Sequence, residues 1–157
     1  MNRDLDWSEV AALLAPWRNY WVSTVTTDGA PHAAPVWAVV VDQVLWFYTD
    51  DDTVKARNLA ADPRLVVHSE SGDDVLIVRG TATAMARPGA HPAIIAAFAA
   101  KYSADGDAAY LPAATDVRTL LYTVSPTSAL VWELDTYDDS QRRWVAPAEP
   151  TVSDDSS

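Results

Sequence analysis

The chain has 157 residues, of which 49% are hydrophobic, so it is long enough to form one domain with a substantial core. Its net charge of −11 makes an extended nucleic-acid backbone an unsuitable partner, and the absence of Cys excludes thiol chemistry, cysteine-ligated zinc and disulfides. Because no apolar run approaches the roughly 20 residues that span a bilayer, and the N-terminus lacks a signal pattern, we expect a cytoplasmic protein that does not contact membranes.

The N-terminal half of the sequence predicts one helix followed by β-strands. Asp6 is a suitable N-cap for a helix over residues 7–15, whose apolar residues recur at helical spacing. Beyond it, stretches rich in β-branched and aromatic residues are separated by short turn signals at 28–29 and 42–43. Because these connections are short, the strands should form an antiparallel meander. These strands are predicted at 20–27, 32–41 and 44–49.

The C-terminal half predicts two further helices, over residues 53–61 and 88–102, among more strands. Gly80 lies inside the longest of these strands and predicts a bulge or sharp bend, as a closing barrel needs. Residues 103–116 contain Gly, Pro and acids and predict a loop that serves as a lid or an interface. These strands are predicted at 64–70, 75–85, 117–124 and 128–134.

This order of elements predicts a mainly β fold, a small barrel of about six antiparallel strands with peripheral helices. A parallel α/β sheet is disfavoured because most strand connections are too short for crossover helices. The sequence has no internal repeat and no second composition block, so we expect one domain over residues 1–146. Residues 147–157 are rich in Pro, acids and Ser and predict a disordered tail.

The junction between the strand at 44–49 and the next helix is a candidate anion site. Three acids at 50–52 precede Thr53, a good N-cap, and Lys55 and Arg57 follow in the first helical turns. The helix N-terminus and these two cations can together hold a phosphate. The alternative is a solvated turn in which the two cations merely offset the acids.

Aromatic composition is also unusual, because seven Trp and six Tyr stand beside only two Phe. Trp and Tyr combine a large apolar surface with a polar group, which suits a subunit interface or a pocket for a flat ligand. Ordinary packing in the core and at its rim is the alternative.

Catalytic triads and metal sites have no clear signal in the sequence. His32, His68 and His91 stand apart, and none has an acid or Ser at the spacing of a known motif. No His, Asp and Glu cluster has the spacing of metal ligands. We therefore predict no catalytic side chain and no metal, and we regard His32, which follows the turn at 28–29, as the best placed histidine.

Five short motifs form a recognisable set along the chain. They are Thr-Thr-Asp-Gly-Ala-Pro-His at 26–32, Pro-Val-Trp at 35–37, Lys-Ala-Arg-Asn-Leu at 55–59, Asp-Pro-Arg at 62–64 and Gly-Thr-Ala at 80–82. This set resembles the pyridoxamine 5'-phosphate oxidase-like split β-barrel superfamily, and within it the flavin- and deazaflavin (F420)-dependent oxidoreductases common in actinobacteria. The resemblance covers roughly residues 6–144, and the third and fourth motifs are its most specific part.

The resemblance implies a split β-barrel that forms a homodimer, with two equivalent cofactor sites at the subunit interface. Lys55 would contact the cofactor phosphate, with Thr49, Arg57 and Asn58 nearby. Arg143, in the C-terminal segment, would lie toward the partner's site. Three consecutive residues would run beside the tricyclic ring of the cofactor: Pro35, Val36 and Trp37.

The activity that the resemblance implies is hydride transfer between F420, or alternatively FMN, and a small organic substrate, which needs no side-chain nucleophile. F420 carries a polyanionic glutamate tail that an acidic chain should repel unless basic residues form a local groove, whereas FMN carries one phosphate. One alternative is a barrel that binds a flavin, deazaflavin or haem-like ligand without turnover. Another is a barrel dimer with a vestigial pocket that serves as an interaction module.

Overall fold

A computed structural model describes residues 4–149, which contain eight β-strands and four α-helices. Short 3₁₀ turns lie at Pro88–Ala90, Asp107–Tyr110 and Leu134–Thr136. The helices and strands are α1 (Trp7–Leu14), β1 (Tyr20–Val25), β2 (Pro31–Val36), β3 (Ala38–Val41), β4 (Val44–Asp50), α2 (Val54–Ala61), β5 (Arg64–His68), β6 (Asp74–Ala84), α3 (Pro92–Lys101), β7 (Thr119–Glu133), α4 (Tyr137–Ser140) and β8 (Arg142–Val145).

All eight strands belong to one antiparallel sheet, in the order β2-β1-β5-β6-β7-β4-β3, with β8 paired to β7. β2 and β3 lie at opposite ends of this order, yet only Trp37 separates them along the chain. The sheet must therefore curl until its two ends come close, which gives a half-barrel with peripheral helices. The prediction of a mainly β, split-barrel fold is confirmed.

The predicted meander is wrong at its second strand. Residues 32–41 form two strands that separate at Trp37, because β2 pairs with β1 whereas β3 pairs with β4. Both Asp42 and Gln43, in the turn from β3 to β4, have positive φ angles of 51° and 62°, as a tight two-residue hairpin requires.

The strand count of about six is also wrong. The two strands predicted at 117–124 and 128–134 are one continuous strand, β7, because Pro126 sits opposite the irregularity at Gly80, where a missing N–H is tolerated. β8 was not predicted, because two adjacent arginines hide its apolar alternation.

Two layers of buried side chains hold the sheet and helices together. The larger cluster fills the inside of the curl, with Tyr20, Phe47 and Val78 among its fully buried members. The smaller cluster lies outside the curl, where Phe98 and Tyr102 at the C-terminal end of α3 pack on β3 and β7. The end of α3 is therefore fixed against the strand that follows Trp37.

The helix caps follow the sequence prediction. Asp6 and Glu9 form a reciprocal capping box at α1, and Thr53 caps α2 by accepting a hydrogen bond from the Ala56 amide. Of the predicted tail, residues 147–149 have no regular secondary structure, and residues 150–157 lie outside the described range. None of the helices in residues 4–149 is both long and apolar enough to cross a membrane.

Gly80 marks a bulge, as predicted, since the register of β6 against β7 shifts between Arg79 and Gly80. A Cβ atom at position 80 would collide with the carbonyl oxygen of Ser125 and lie 3.0 Å from Pro126 Cα. We expect Gly80→Ala to destabilise the fold by about 1–3 kcal/mol, because the obstructing atoms are backbone. Urea unfolding should show the loss, and Gly72→Ala, with nothing within 4 Å, is the matched control. Equal stability of the two variants would contradict the close approach.

Candidate functional site

A cleft of about 590 Å³ opens at the seam where Trp37 joins the two ends of the sheet. Its walls come from the end of β2, the end of β4, the start of α2, the residues around the turn Asp107–Tyr110, and the start of β7. Five predicted cofactor residues line it: Pro35, Val36, Trp37, Thr49 and Lys55. The fold thus gathers residues that are far apart in the sequence into one cavity.

The other three predicted cofactor residues lie outside this cleft in the single chain. Arg57 is exposed and donates a hydrogen bond of 2.6 Å to the backbone carbonyl of Asp52. Asn58 lies on the buried face of α2, where its side-chain amide donates a hydrogen bond of 3.0 Å to the Thr24 hydroxyl and links the helix to β1. Arg143 is exposed on β8. Their role in cofactor binding stays a prediction.

Lys55 is the cation of the cleft. Its side chain is half-buried, and its ammonium group makes no hydrogen bond or ion pair with any residue in the described range. Burial lowers the pKa of Lys55, and the nearby Asp50 carboxylate opposes that shift in part. In the first turn of α2 the Ala56 amide is capped by Thr53, and the amides of Val54 and Lys55 have no acceptor within the helix. An external anion here would meet both the ammonium and the helix N-terminus.

The carboxylates of the three acids before α2 are engaged by partners other than Lys55 and Arg57. Asp51 forms an ion pair with Arg87 at 3.0 Å, and Asp52 forms one with Arg118. Asp50 accepts a hydrogen bond of 3.1 Å from the hydroxyl of Thr119 on β7. The acids therefore fasten the β4–α2 junction to neighbouring elements and leave the ammonium of Lys55 unengaged.

Trp37, the flat wall of the cleft, is held from behind by stacking. Its ring lies on the ring of Tyr102, with centroids 4.3 Å apart and planes within 8° of parallel. The guanidinium of Arg18 lies 5.1 Å from the centre of the Trp37 ring. Because Tyr102 is almost fully buried, this wall is rigid.

The backbone next to Trp37 is clamped by the same end of α3. The Tyr102 hydroxyl accepts a hydrogen bond from the Ala38 amide at 2.9 Å. The Lys101 ammonium donates to the Ala38 carbonyl at 2.8 Å and to the Tyr20 hydroxyl at 2.7 Å. Burial lowers the pKa of Lys101 to about 8. The seam is thus fixed by a half-buried cation with no carboxylate partner in the described part of the chain.

The three histidines lie away from the cleft. None of His32, His68 and His91 lines it. The buried Nδ1 atom of His32 has no hydrogen-bond partner in the described part of the chain, and it lies outside the lining. Within residues 4–149, no group of three or more His, Asp or Glu side chains is arranged to hold a metal ion.

Several lining residues were not named as cofactor contacts from the sequence, namely Asn19, Tyr48, Tyr110, Asp116 and Thr119. Tyr110 and Asp116 lie in the loop at 103–116 that was predicted to be a lid or an interface. Tyr48 and Thr119 sit on strands at positions whose orientation depends on how the sheet curls. The only sequence signal for the tyrosines among them was the high content of Tyr and Trp, which suggested a pocket for a flat ligand. All seven Trp side chains are half-buried.

Comparison with known proteins identifies what the chain resembles. Residues 7–129 match the family model described as pyridoxamine 5'-phosphate oxidase. No curated protein sequence matches the chain significantly.

Solved structures share the fold at low sequence identity. The conserved hypothetical protein Rv2991 from Mycobacterium tuberculosis is 21% identical, with a TM-score of 0.69 over 85% of this chain and 90% of that one. An F420 reductase is 21% identical, with a TM-score of 0.58 over 73% of this chain and 90% of that one. A heme binding protein from Mycobacterium smegmatis is 21% identical, with a TM-score of 0.62 over 84% of this chain and 55% of that one.

The clamp at the seam predicts a specific pH dependence of stability. An unfolded lysine keeps its proton up to its ordinary pKa of 10.5, whereas Lys101 in the folded chain loses it near 8. Between these values the unfolded chain binds more protons, so the contribution of Lys101 to stability rises with pH. Tyr20 and Tyr102 stay neutral in this window because burial raises their pKa values.

We therefore expect the free energy of unfolding of the wild type, measured relative to Lys101→Met, to increase from pH 7 to about pH 10. Urea unfolding at several pH values measures this difference. A difference that does not change with pH, or that falls, would show that Lys101 is not desolvated in the folded chain.

Proposed function

The chain belongs to the pyridoxamine 5'-phosphate oxidase family, and we propose that it is an oxidoreductase that uses F420, or alternatively FMN, to transfer hydride to or from a small organic substrate. The observation that carries this proposal is the half-buried, unengaged ammonium of Lys55 in a cleft with a rigid Trp37 wall. Such a cofactor supplies the hydride when bound. The protein then needs only to bind it, orient a substrate and limit the access of water.

The residues of the cleft fit the parts of such a cofactor. The Lys55 ammonium and the backbone amides of Val54 and Lys55 would hold a phosphate, because they combine a mobile cation with fixed N–H donors. Trp37, with Pro35 and Val36, would flank a flat ring. Among the strands in residues 4–149, β2 pairs only with β1, so its other edge offers backbone groups to the polar rim of a ring.

The choice between F420 and FMN rests on two opposing observations. We place F420 first because an F420 reductase shares the fold over most of its length. The charges favour the FMN alternative, because Lys55 is the one cation among the described lining residues, beside Asp50 and Asp116. The basic side chains nearest in sequence are occupied, since Arg57 binds a carbonyl and Arg64 pairs with Asp62.

A binding protein without turnover is the second candidate. It is supported by the fold shared with a heme binding protein, although that likeness covers only 55% of the other chain. It predicts tight ligand binding without reduction of any acceptor. The two candidates therefore differ in one observable, reduction that depends on an electron donor.

We also propose a homodimer formed through the outer face of the sheet. Strand registers place Trp21, His68, Ile77 and Leu130 in one row across β1, β5, β6 and β7, and all four side chains are half-buried. The row continues to Pro35 at one end and Arg143 at the other. A two-fold axis near its middle would bring Arg143 of the partner subunit toward the Pro35 end, where the cleft lies.

A matched titration of cofactor-free protein with F420 and with FMN, followed by ligand fluorescence, tests the proposed function. Binding of one cofactor in the micromolar range or tighter, followed by acceptor reduction with its reduced form, is the expected result. Binding without any reduction would favour the carrier, and binding of neither would overturn both candidates.

Removal of the Lys55 charge should weaken cofactor binding selectively. We expect Lys55→Ala to raise the dissociation constant about 10- to 100-fold, because a charged hydrogen bond is worth about 1.5–3 kcal/mol. Arg64→Ala is the control, since it removes the same charge from an exposed side chain that pairs with Asp62 and lies outside the cleft. Equal affinity of the wild type and Lys55→Ala would remove Lys55 from the site.

Disruption of the sheet face should separate subunits and weaken cofactor binding together. Ile77→Lys places a charge at the centre of the half-buried row, whereas Leu134→Lys changes an exposed residue and serves as the control. We expect sedimentation to report monomers for Ile77→Lys only, and its cofactor affinity to fall. A monomer that binds with full affinity would refute a site shared between subunits.

A further inference from the structure

Tyr110 is the most exposed side chain among the aromatic residues of the cleft. The residue is 72% exposed, yet its ring meets Trp37 edge to face, with centroids 6.2 Å apart and planes at 82°. The two rings therefore form an open corner at the cleft. Nothing in the proposed handling of the cofactor uses the exposed face of Tyr110.

The backbone that carries Tyr110 is fixed although its ring is free. The Tyr48 hydroxyl donates a hydrogen bond of 2.7 Å to the Tyr110 carbonyl. Burial, followed by the fields of Tyr102 and of nearby carboxylates, raises the pKa of Tyr48, so this donor stays protonated. A ring on a fixed backbone forms a wall at little cost in conformational entropy.

An ion pair anchors the same turn from its other end. Arg18 forms a two-pronged pair with Asp107, with nitrogen–oxygen distances of 2.7 and 3.0 Å, and the Asp107 side chain is buried. Because Arg18 also lies over the Trp37 ring, the turn that carries Tyr110 and the wall that carries Trp37 share one anchor. The backbone positions of Trp37 and Tyr110 relative to each other are therefore fixed by the fold.

Charge at the cleft favours one kind of ligand in this corner. The charged lining residues are Asp50, Asp116 and Lys55. A phosphate at Lys55 would neutralise the cation and leave Asp50 and Asp116 as the charged residues among the described lining. Carboxylates beside exposed aromatic faces attract organic cations and repel anions.

We propose that this corner is the substrate subsite, in which Tyr110 stacks on a flat aromatic compound and Asp50 with Asp116 select for positive charge on it. This inference rests on the proposed function, because it assumes that the cofactor phosphate occupies Lys55. It assigns Tyr110 as a specificity-determining residue and predicts an order of affinity, with cations bound more tightly than neutral compounds and anions bound least.

The probes that test this order are naphthylmethylammonium, naphthylmethanol and naphthoate, which share one flat ring system and differ in charge. Their dissociation constants are measured by calorimetry on the protein saturated with whichever cofactor it binds, and also on the cofactor-free protein. In the saturated protein we expect the cation to bind about tenfold more tightly than the anion.

Variants separate the stacking from the charge selection. Tyr110→Ala should weaken all three probes about three- to tenfold, whereas Tyr110→Phe should retain their affinity because the ring remains. Asp116→Asn should lower the ratio of cation affinity to anion affinity about threefold, while its amide oxygen can still accept the hydrogen bond from the Ala113 amide. The matched controls are Tyr137→Ala and Asp135→Asn, two exposed residues outside the cleft.

Equal affinities across the charge series, absence of probe binding, or full affinity of Tyr110→Ala would each overturn the inference. A protein that binds neither cofactor but keeps the predicted order on the free chain would overturn the proposed function and leave the aromatic subsite standing. Cofactor binding with no charge preference among the probes would overturn the aromatic subsite and leave the proposed cofactor site standing.

Discussion

The crossing of the chain at Trp37 is the constraint on which the rest of the structure depends. One residue carries the backbone from one end of the sheet order to the other, so the sheet has to curl and its ends have to meet there. Tyr102 and Lys101 hold the next residue, Ala38, by three hydrogen bonds to its amide and carbonyl groups. The cavity lies where it does because a curled sheet leaves a gap at its seam, and α3 keeps that gap from changing shape.

The charged residues near the seam are of two kinds: arginines that pair with acids of the chain, and Lys55, which does not. The chain has twice as many acidic as basic residues, and most arginines near the cleft form ion pairs that hold loops in place. Examples are Arg18 with Asp107 and Arg87 with Asp51. Lys55 differs because its partner is not supplied by the described chain. A half-buried cation without a partner is costly in an empty cleft and favourable once an anion arrives, so the arrangement suits ligand binding better than stability.

The sequence predicted the local elements well and the long-range path less well. Caps such as Asp6 and Thr53 and the bulge at Gly80 follow from local chemistry, and each was predicted where the structure has it. The split of residues 32–41 at Trp37 was missed, because each half alone looks like a strand and only the closure of the sheet separates them. The sequence also did not show that two predicted strands form the single strand β7, because only the pairing with β6 along its whole length joins them.

Site residues that belong to a short sequence motif could be predicted. Site residues that only the fold brings to the cleft could not. The strip at 35–37 and Lys55 were named from short motifs, and the structure brings them into one cleft. Arg57 and Asn58 share the motif with Lys55 but point elsewhere, since neighbouring positions on a helix face different directions. Tyr110 and Asp116 reach the cleft only through the anchors of their loop, which no local pattern reveals.

The environment of Lys55 can be observed directly, because the sequence contains only two lysines, Lys55 and Lys101. Protein labelled with carbon-13 in its lysine side chains should give two ε-methylene signals, which a Lys55→Arg variant assigns. During titration with FMN or F420, we expect the Lys55 signal to shift and to saturate together with the fluorescence of the ligand. A cofactor that binds while the Lys55 signal does not move would contradict the anion site in this cleft.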